Sequence, residues 1–369
     1  MNRIQALEGR TSPWRDRLGR AAVRSIQTLL VLTLVAAGVW AGVQLRLLVV
    51  PLLIATLIAA AASPVVARLV RIGLPRALAV WLALLAGFAI LGGVAYFVGS
   101  AALSQWDGLS ERADDGVAEL ERFLAQPPLG LDHDQLEELR VMAMQLVSGP
   151  SGTGGATLVF EIVTGVFLGL VLLYFLLKDG ERIWTFLRTE ILPEKHSDRF
   201  DLIAARAVEV LGGYVRGTAL VALVEAVLIG VTIAVLGVPL ALPLAVVVFV
   251  GAFVPLIGAT TAGTLAAVVA LLANGPGTAL IVVGVVILVN QLEGDFLSPV
   301  VLGKVLSLHP LAVLMALTAG TIAAGITGAI LSVPFAAVAW SAIRTWRETE
   351  DEESSVLLVD SGAREPEPV

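Results

Sequence analysis

The 369-residue chain contains no cysteine, so disulfides, thiolate metal sites and cysteine nucleophiles are excluded together. Its three histidines, His133, His196 and His309, stand in unrelated contexts. No His-x-x-x-His pair and no Gly-x-Ser-x-Gly elbow is present, so neither a helical zinc site nor a hydrolase nucleophile is visible. A Walker A loop is also missing, which argues against a self-contained ATP-driven pump. Alternating segments of about ten residues, which a membrane barrel would need, are absent too. Charge is scarce, at 15% of residues. No enzymatic activity, cofactor, metal or nucleic-acid partner is expected from such a chain.

What remains is largely hydrocarbon: 57% of the residues are hydrophobic. The expected class is all-α, a polytopic helical membrane protein whose first partner is the lipid bilayer. Uncharged or nearly uncharged runs at 26–43, 47–66, 77–102, 156–177 and 219–236 read as transmembrane helices. Arginine sets their orientation. Arg3, Arg10, Arg15, Arg17, Arg20 and Arg24 crowd residues 1–25 against Glu8 and Asp16 alone, and Arg68, Arg71 and Arg76 follow the second run. Both stretches therefore belong on the cytoplasmic side.

Residues 1–25 are accordingly a basic cytoplasmic arm and 26–102 a three-span bundle. Residues 103–155 hold ten acidic residues and three arginines. There Leu109, Ala113, Val117, Leu120 and Leu124 fall at helical spacing, as do Leu136, Leu139, Ala143 and Leu146. This predicts a small extracytoplasmic helical hairpin, either a lid or subunit contact or simply a solvated element. A fourth span at 156–177 returns the chain to a basic region, 178–217. Here Phe200, Ile203, Ala207 and Val210 predict an amphipathic helix on the inner face, with Trp184 and Trp346 as interfacial anchors. Residues 218–343 form the expected transport core. In the tail, 344–369, Arg344 and Arg347 precede eight acidic residues, so disorder is expected from about residue 348. With both termini inside, the number of crossings is even, about eight.

Two segments of the core are interrupted. Residues 240–273 are too long for one span and are broken at Pro255-Leu256-Ile257-Gly258 and again at Gly263. Residues 311–340 are interrupted by Gly320, Gly325, Gly328 and Pro334. Such broken or re-entrant segments are a sequence pointer to a transport site, although glycine also serves tight helix packing. Between them, Asn290, Gln291, Glu293 and Asp295 fall within six residues. On a helix, Asn290 and Glu293 share one face and Gln291 and Asp295 the neighbouring one. Gly294, Ser298 and Pro299 are then expected to break the helix. Glu225 stands alone in the fifth apolar run. Ionisable groups flanked by apolar spans are expensive and face a partner or a hydrated cavity. The candidate transport and coupling residues are therefore Glu225, Pro255, Gly258, Asn290, Gln291, Glu293, Asp295, Ser298 and Pro299. The competing readings are a short loop outside the bilayer for the 290–299 cluster and a helix-to-helix bond for Glu225. A weak internal echo, Ser63-Pro64-Val65-Val66 followed by Pro75 and Ser298-Pro299-Val300-Val301 followed by Pro310, keeps the same spacing in both copies.

The sequence also resembles the AI-2E, or autoinducer-2 exporter, family of bacterial membrane transporters. Tyr174-Phe175-Leu176-Leu177-Lys178-Asp179-Gly180, Gly213-Tyr214-Val215-Arg216-Gly217 and Leu236-Gly237-Val238-Pro239 carry the likeness. Phe253-Val254-Pro255-Leu256-Ile257-Gly258, Gln291-Leu292-Glu293, Ser298-Pro299, Leu308-His309-Pro310-Leu311 and Val333-Pro334 continue it. The resemblance implies a bacterial cell (inner) membrane protein and a homo-oligomer that exports a small solute. Autoinducer-2 is the cargo of some members, and cation/proton antiport has been proposed for others. The expected function is thus an exporter of a small polar molecule, proton- or cation-coupled. The alternatives are a cation/proton antiporter and a non-transporting scaffold or regulator. A scaffold has no need for Glu225, Glu293 and Asp295 near the bilayer.

Overall fold

The computed structural model describes residues 17–124, 154–190, 197–255, 258–303 and 308–362. The described residues are helical, with no strand among them, as a chain that must satisfy its own backbone groups in lipid requires. In order, the elements are α1 (Arg17–Gln44), α2 (Arg46–Arg71), α3 (Arg76–Leu124), α4 (Gly154–Glu190), α5 (Ser197–Val235), α6 (Ala241–Gly251), α7 (Gly258–Asn274) and α8 (Pro276–Leu292). A π turn (Glu293–Leu297), α9 (Ser298–Leu302) and α10 (Pro310–Gly362) complete them. Six of the helices are long and apolar enough to cross a membrane, and α6 and α7 are shorter apolar helices. The chain is a multi-pass membrane protein.

The chain divides into two compact units, residues 1–50 and 51–369. The first contains α1, which covers the predicted first span over 28 residues. In the second, α2, α3 and α4 bury Ala55, Val66, Ala79, Val80, Leu173 and Leu177 against one another. Helices α5 to α8 form a separate, larger core around Ile229, Ile233, Val248, Ala266, Val282 and Val289. A third cluster joins α2, α5 and α10 through Leu57, Ala60, Leu211 and Leu331.

Several boundaries differ from the sequence expectation. The third span and the first half of the predicted hairpin are one continuous helix of 49 residues, because the apolar spacing at 109–124 stays in helical phase with the span before it. The second half of that hairpin lies outside the described residues. The amphipathic stretch around Phe200 does not lie separately on the inner face. It is the first half of the 39-residue α5 and runs into the span that carries Glu225, since nothing between Gly212 and Gly217 stops a helix packed on both sides. Trp184 donates its indole N–H to Asp201 on α5 at 2.7 Å, and Trp346 packs its ring, tilted, against that of Phe200 of α5 at 5.8 Å. Glu348 joins the same strapping, pairing with Arg206 at 3.2 Å and Arg344 at 2.7 Å. The tail is helical rather than disordered as far as Gly362. The Arg344–Glu348 pair lies one turn apart on its solvent side, the spacing that supports an exposed helix.

Pro64 shows how a helix defect in α2 is repaired. Proline has no N–H to give the carbonyl four residues back, which is that of Ala60. Ser63 donates its hydroxyl to that oxygen at 2.9 Å. Arg216 of α5 donates to the carbonyls of Ala60 and Ala61 at 3.4 and 3.2 Å. Gly212 lets the two backbones come this close, since a Cβ there would collide with the Ala60 carbonyl. Arg216→Met should therefore cost about 1.5–3 kcal/mol, the worth of hydrogen bonds from a charged donor, with Ser63 still serving the Ala60 carbonyl. In a Pro64→Ala background, where residue 64 regains an N–H, the same substitution should cost clearly less. Thermal unfolding of the four proteins in detergent reads the coupling directly, and additive losses would show that Arg216 is not held by the Pro64 defect.

Candidate functional site

The site is assembled from helical hairpins whose registers can be followed. Gly230 of α5 abuts Ala245 of α6, at comparable distances from the intervening turn, so these helices run antiparallel. At the same turn, Gln105 of α3 accepts the Leu240 N–H at 2.6 Å. Asn274, at the far end of α7, reaches the carbonyls of Leu236 and Gly237 at 3.4 and 3.5 Å. Helices α6 and α7 thus form a hairpin whose base sits at the C-terminal end of α5. Its tip, 251–258, carried along the α5–α6 register, stands level with Glu225. At that tip Gly251 and Gly258 touch backbone to backbone. Tight turns close it, Val254 N–H to Gly251 O at 2.7 Å and Gly258 N–H to Val254 O at 3.0 Å. Pro255 is half-buried in this bend. The predicted break at 255–258 is present. The second one is not: Gly263 lies inside α7, buried, where its missing side chain makes room for Val286 of α8.

The Gly263–Val286 contact also fixes α7 and α8 as an antiparallel pair about Gly275. These two helices have equal lengths of 17 residues. The end of α8 therefore returns to the level of Gly258. There the chain does not break at Gly294 and Ser298 as expected. It widens into a π turn, with the Ser298 N–H bonded to the Glu293 carbonyl five residues back. Pro299 supplies the reason, because it cannot donate to the Asp295 carbonyl, and a wider turn accommodates the missing bond without ending the helix.

The fourth feature comes from α10. Its helix is interrupted at Ala324 and Gly325, both with non-helical dihedrals, and Gly325 takes a positive φ of 60°. The chain folds back there, so that Gly320 and Gly328 meet backbone to backbone. The first leg begins at Pro310, where the Leu311 N–H donates to His309 Nδ1 at 3.2 Å. It is too short for a roughly 30 Å hydrocarbon core. The second leg runs antiparallel to α5, from Leu331, in one cluster with Leu211, to Trp346 against Phe200. Extended along that register, the corner at 324–325 falls within about two turns of Glu225. Two re-entrant hairpins thus enter from opposite ends of α5, and their tips approach one depth.

Glu225 occupies that depth. It is 1% exposed, and neither carboxylate oxygen has a hydrogen-bonding partner. The ionisable group acting on it is the Glu293 carboxyl, from the π turn. Asn290, one turn before Glu293, holds a buried Oδ1 that is likewise unpartnered. Gln291 and Asp295 are exposed and turn away. The nine predicted residues therefore separate. Glu225, Asn290 and Glu293 come together, Pro255 and Gly258 form the hairpin tip at the same level, and Ser298 and Pro299 shape the π turn. Gln291 and Asp295 lie off the pair. Missed from the sequence were Thr218 and Tyr214, buried on the Glu225 face of α5. Their spacing of four and then seven residues from Tyr214 through Thr218 to Glu225 could have revealed them.

A family model described as AI-2E family transporter matches residues 29–348. The chain belongs to the AI-2E transporter family. This transporter is 42% identical over 314 residues to "Putative transport protein MT0215" of Mycobacterium tuberculosis (strain CDC 1551 / Oshkosh), covering 83% of this chain and 85% of that one. It is 29% identical to "Putative transport protein YueF" of Bacillus subtilis (strain 168), covering 78% and 81% respectively. A shorter match, 32% identical and covering 45% and 47%, is to "Putative transport protein YrrI" of the same organism. The matched region contains both re-entrant hairpins, the π turn and Glu225. The transporter's family and its relatives' names point to transport rather than catalysis.

Proposed function

We propose that the chain exports a small polar solute, of the autoinducer-2 kind or similar, and that export is driven by protons taken up and released at the Glu225–Glu293 pair. The observation that carries this reading is the facing of two carboxyl groups, one of them fully buried, at the depth of the α6–α7 hairpin tip and the π turn. Two negative charges side by side in a low-dielectric interior are far costlier than a pair holding one proton between them. Each change of protonation therefore alters the local charge balance and can bias the hairpins between arrangements. Broken helices supply free backbone groups for a polar cargo at the same depth. The proposal includes a bacterial inner membrane location, both ends cytoplasmic, and a homo-oligomeric assembly; the arginine distribution and the family resemblance support these.

The test is flux in proteoliposomes loaded with autoinducer-2 and then with a panel of small polar solutes, with and without an imposed proton gradient. Parent protein should show gradient-dependent flux, and Glu225→Gln and Glu293→Gln should each remove the gradient dependence while remaining folded. Parent-like gradient-driven flux in both variants would overturn proton coupling through this pair. A second reading, exchange of a cation for protons, is favoured by the oxygen-only set of Glu225, Glu293 and Asn290, which suits a hard cation. In that case sodium or potassium alone would drive proton movement in the same liposomes.

A further inference from the structure

On the side of Glu225 towards the end of α5, the buried face is apolar. Ala226, Ile229 and Ile233 pack there against Leu244, Val248, Val282 and Val286, with Ile229 and Ile233 essentially inaccessible. Thr232, the polar side chain of α5 beside that seal, turns its hydroxyl back onto the Leu228 carbonyl. On the other side, towards the start of α5, the same face carries Thr218 and Tyr214, 9% and 8% exposed. Thr218 differs from four other threonines in apolar helices and shares its buried, unbonded hydroxyl with Thr345 of α10. Thr56, Thr232, Thr264 and Thr318 each return their hydroxyl to the carbonyl one turn back at 2.7–2.8 Å. The Thr218 hydroxyl is buried without such a bond, and the Tyr214 side chain lies within its reach. Side chains on a helix lean towards its N-terminus, so the Glu225 carboxyl reaches back over Ala222 in the direction of Thr218. Ala222 stands between them, fully buried, so the route from Thr218 to the carboxyl requires roughly one or two bridging water molecules beside it.

We infer that Tyr214 and Thr218 form a one-sided proton entry to the Glu225–Glu293 pair, open towards the start of α5 and closed towards its end by the Ile229–Ile233 seal. This rests on the proton-coupling reading above and adds the route. A hydroxyl accepts one hydrogen bond and donates another, so a proton passed to one side is replaced from the other and Thr218 is left unchanged. From water at the start of α5, the proton moves through Tyr214, Thr218 and bridging water onto a carboxylate oxygen of the pair. Among the described residues of the helices packed around it, no competing proton donor faces Glu225. Helices α6, α7, α8 and α9 contain no ionisable side chain, and α10 has none before Arg344. The π turn offers Glu293, the other member of the pair, and Asp295, which is exposed.

The experiment is infrared spectroscopy of the full-length protein in lipid, following the protonated carboxyl band of the Glu225–Glu293 pair, assigned by its loss in Glu225→Gln. Hydrogen–deuterium exchange of that band is then timed after a switch to heavy water. Thr218→Val and Tyr214→Phe should slow exchange by about tenfold, the worth of one lost hydrogen-bonded relay. Thr218→Ser should exchange at the parent rate, and so should Ile229→Val on the sealed side. Equal rates in Thr218→Val, Tyr214→Phe and parent would overturn the route while leaving the titrating pair intact. A band that is absent or indifferent to pH would instead overturn the coupling reading, and the route with it. If Thr218→Val does not fold, Thr218→Cys in this cysteine-free chain takes its place. An impermeant thiol reagent should reach it only from the side where α5 begins, and should not reach Ile229→Cys from either side. Labelling of Ile229→Cys in preference to Thr218→Cys would reverse the assignment and sink it.

Discussion

Gly258→Ala should cripple the protein, and Gly284→Ala should not. At Gly258 a Cβ would collide with the carbonyl of Gly251. The obstacle is backbone in a turn held by its own hydrogen bonds, so it cannot rotate away as a side chain would. Overpacking typically costs about 1–3 kcal/mol, and the upper end is expected when the neighbour cannot yield. The added methyl would pry open the tip of the α6–α7 hairpin, which stands level with Glu225. Yield of monodisperse protein, melting temperature and gradient-driven flux should fall together. At Gly284, in the middle of α8, a Cβ meets nothing within contact distance. Alanine there should be neutral or stabilising by up to about 1 kcal/mol, the ordinary helix preference. Equal behaviour of the two variants would show that the Gly251–Gly258 contact is dispensable.

Glu225→Leu should separate stability from function. The Glu225 carboxyl is buried, and the ionisable group it meets is a second carboxyl, that of Glu293. Replacing such a group with a side chain of similar size removes a desolvation cost and a like-charge contact. Stabilisation of about 1–4 kcal/mol is the range seen when buried ionic groups give way to apolar ones. The melting temperature in detergent should therefore rise while gradient-driven flux is lost. A fall in melting temperature would mean that the carboxyl holds a neighbouring helix in place. That outcome would restore the competing reading, in which Glu225 is structural glue.

The large features were legible because each follows from local chemistry. Pro255 and Gly258 cannot continue a packed helix in that arrangement, and Gly325 is free to take the positive φ that the α10 corner requires. Glu225 stood out as a lone carboxylate in an apolar run. Asn290 and Glu293 shared a face by simple helical arithmetic, and that face is the inward one. What was not legible depends on contacts distant in sequence. Whether α5 would stop or continue near Gly212 is decided by α2 and α10, which pack on it. The same Ser-Pro-Val-Val quartet sits in both α2 and α9, yet the missing proline N–H is handled by Arg216 in the first case and by a π turn in the second. Only the neighbours differ. Pro64 did carry a usable signal, since a proline inside an apolar helix leaves a carbonyl in need of a donor, and Arg216 is a charged residue close to a membrane span.

The continuity of α5 has a mechanical consequence. Its 39 residues make a rod of about 58 Å, nearly twice the roughly 30 Å hydrocarbon core. Arg216 fastens this rod to α2 partway along. Glu225 lies about 13 Å to one side of that fulcrum, and Asp201, with its ties to Trp184 and Arg188, about 22 Å to the other. A rod fastened in this way is a lever with a long outer arm and a short inner one. Were the rod to pivot there, a swing of several ångströms at the Asp201 end would reach the carboxyl pair reversed in direction and reduced to about three-fifths. Such a pivot would gear force applied at the Asp201 end down into a small displacement at Glu225.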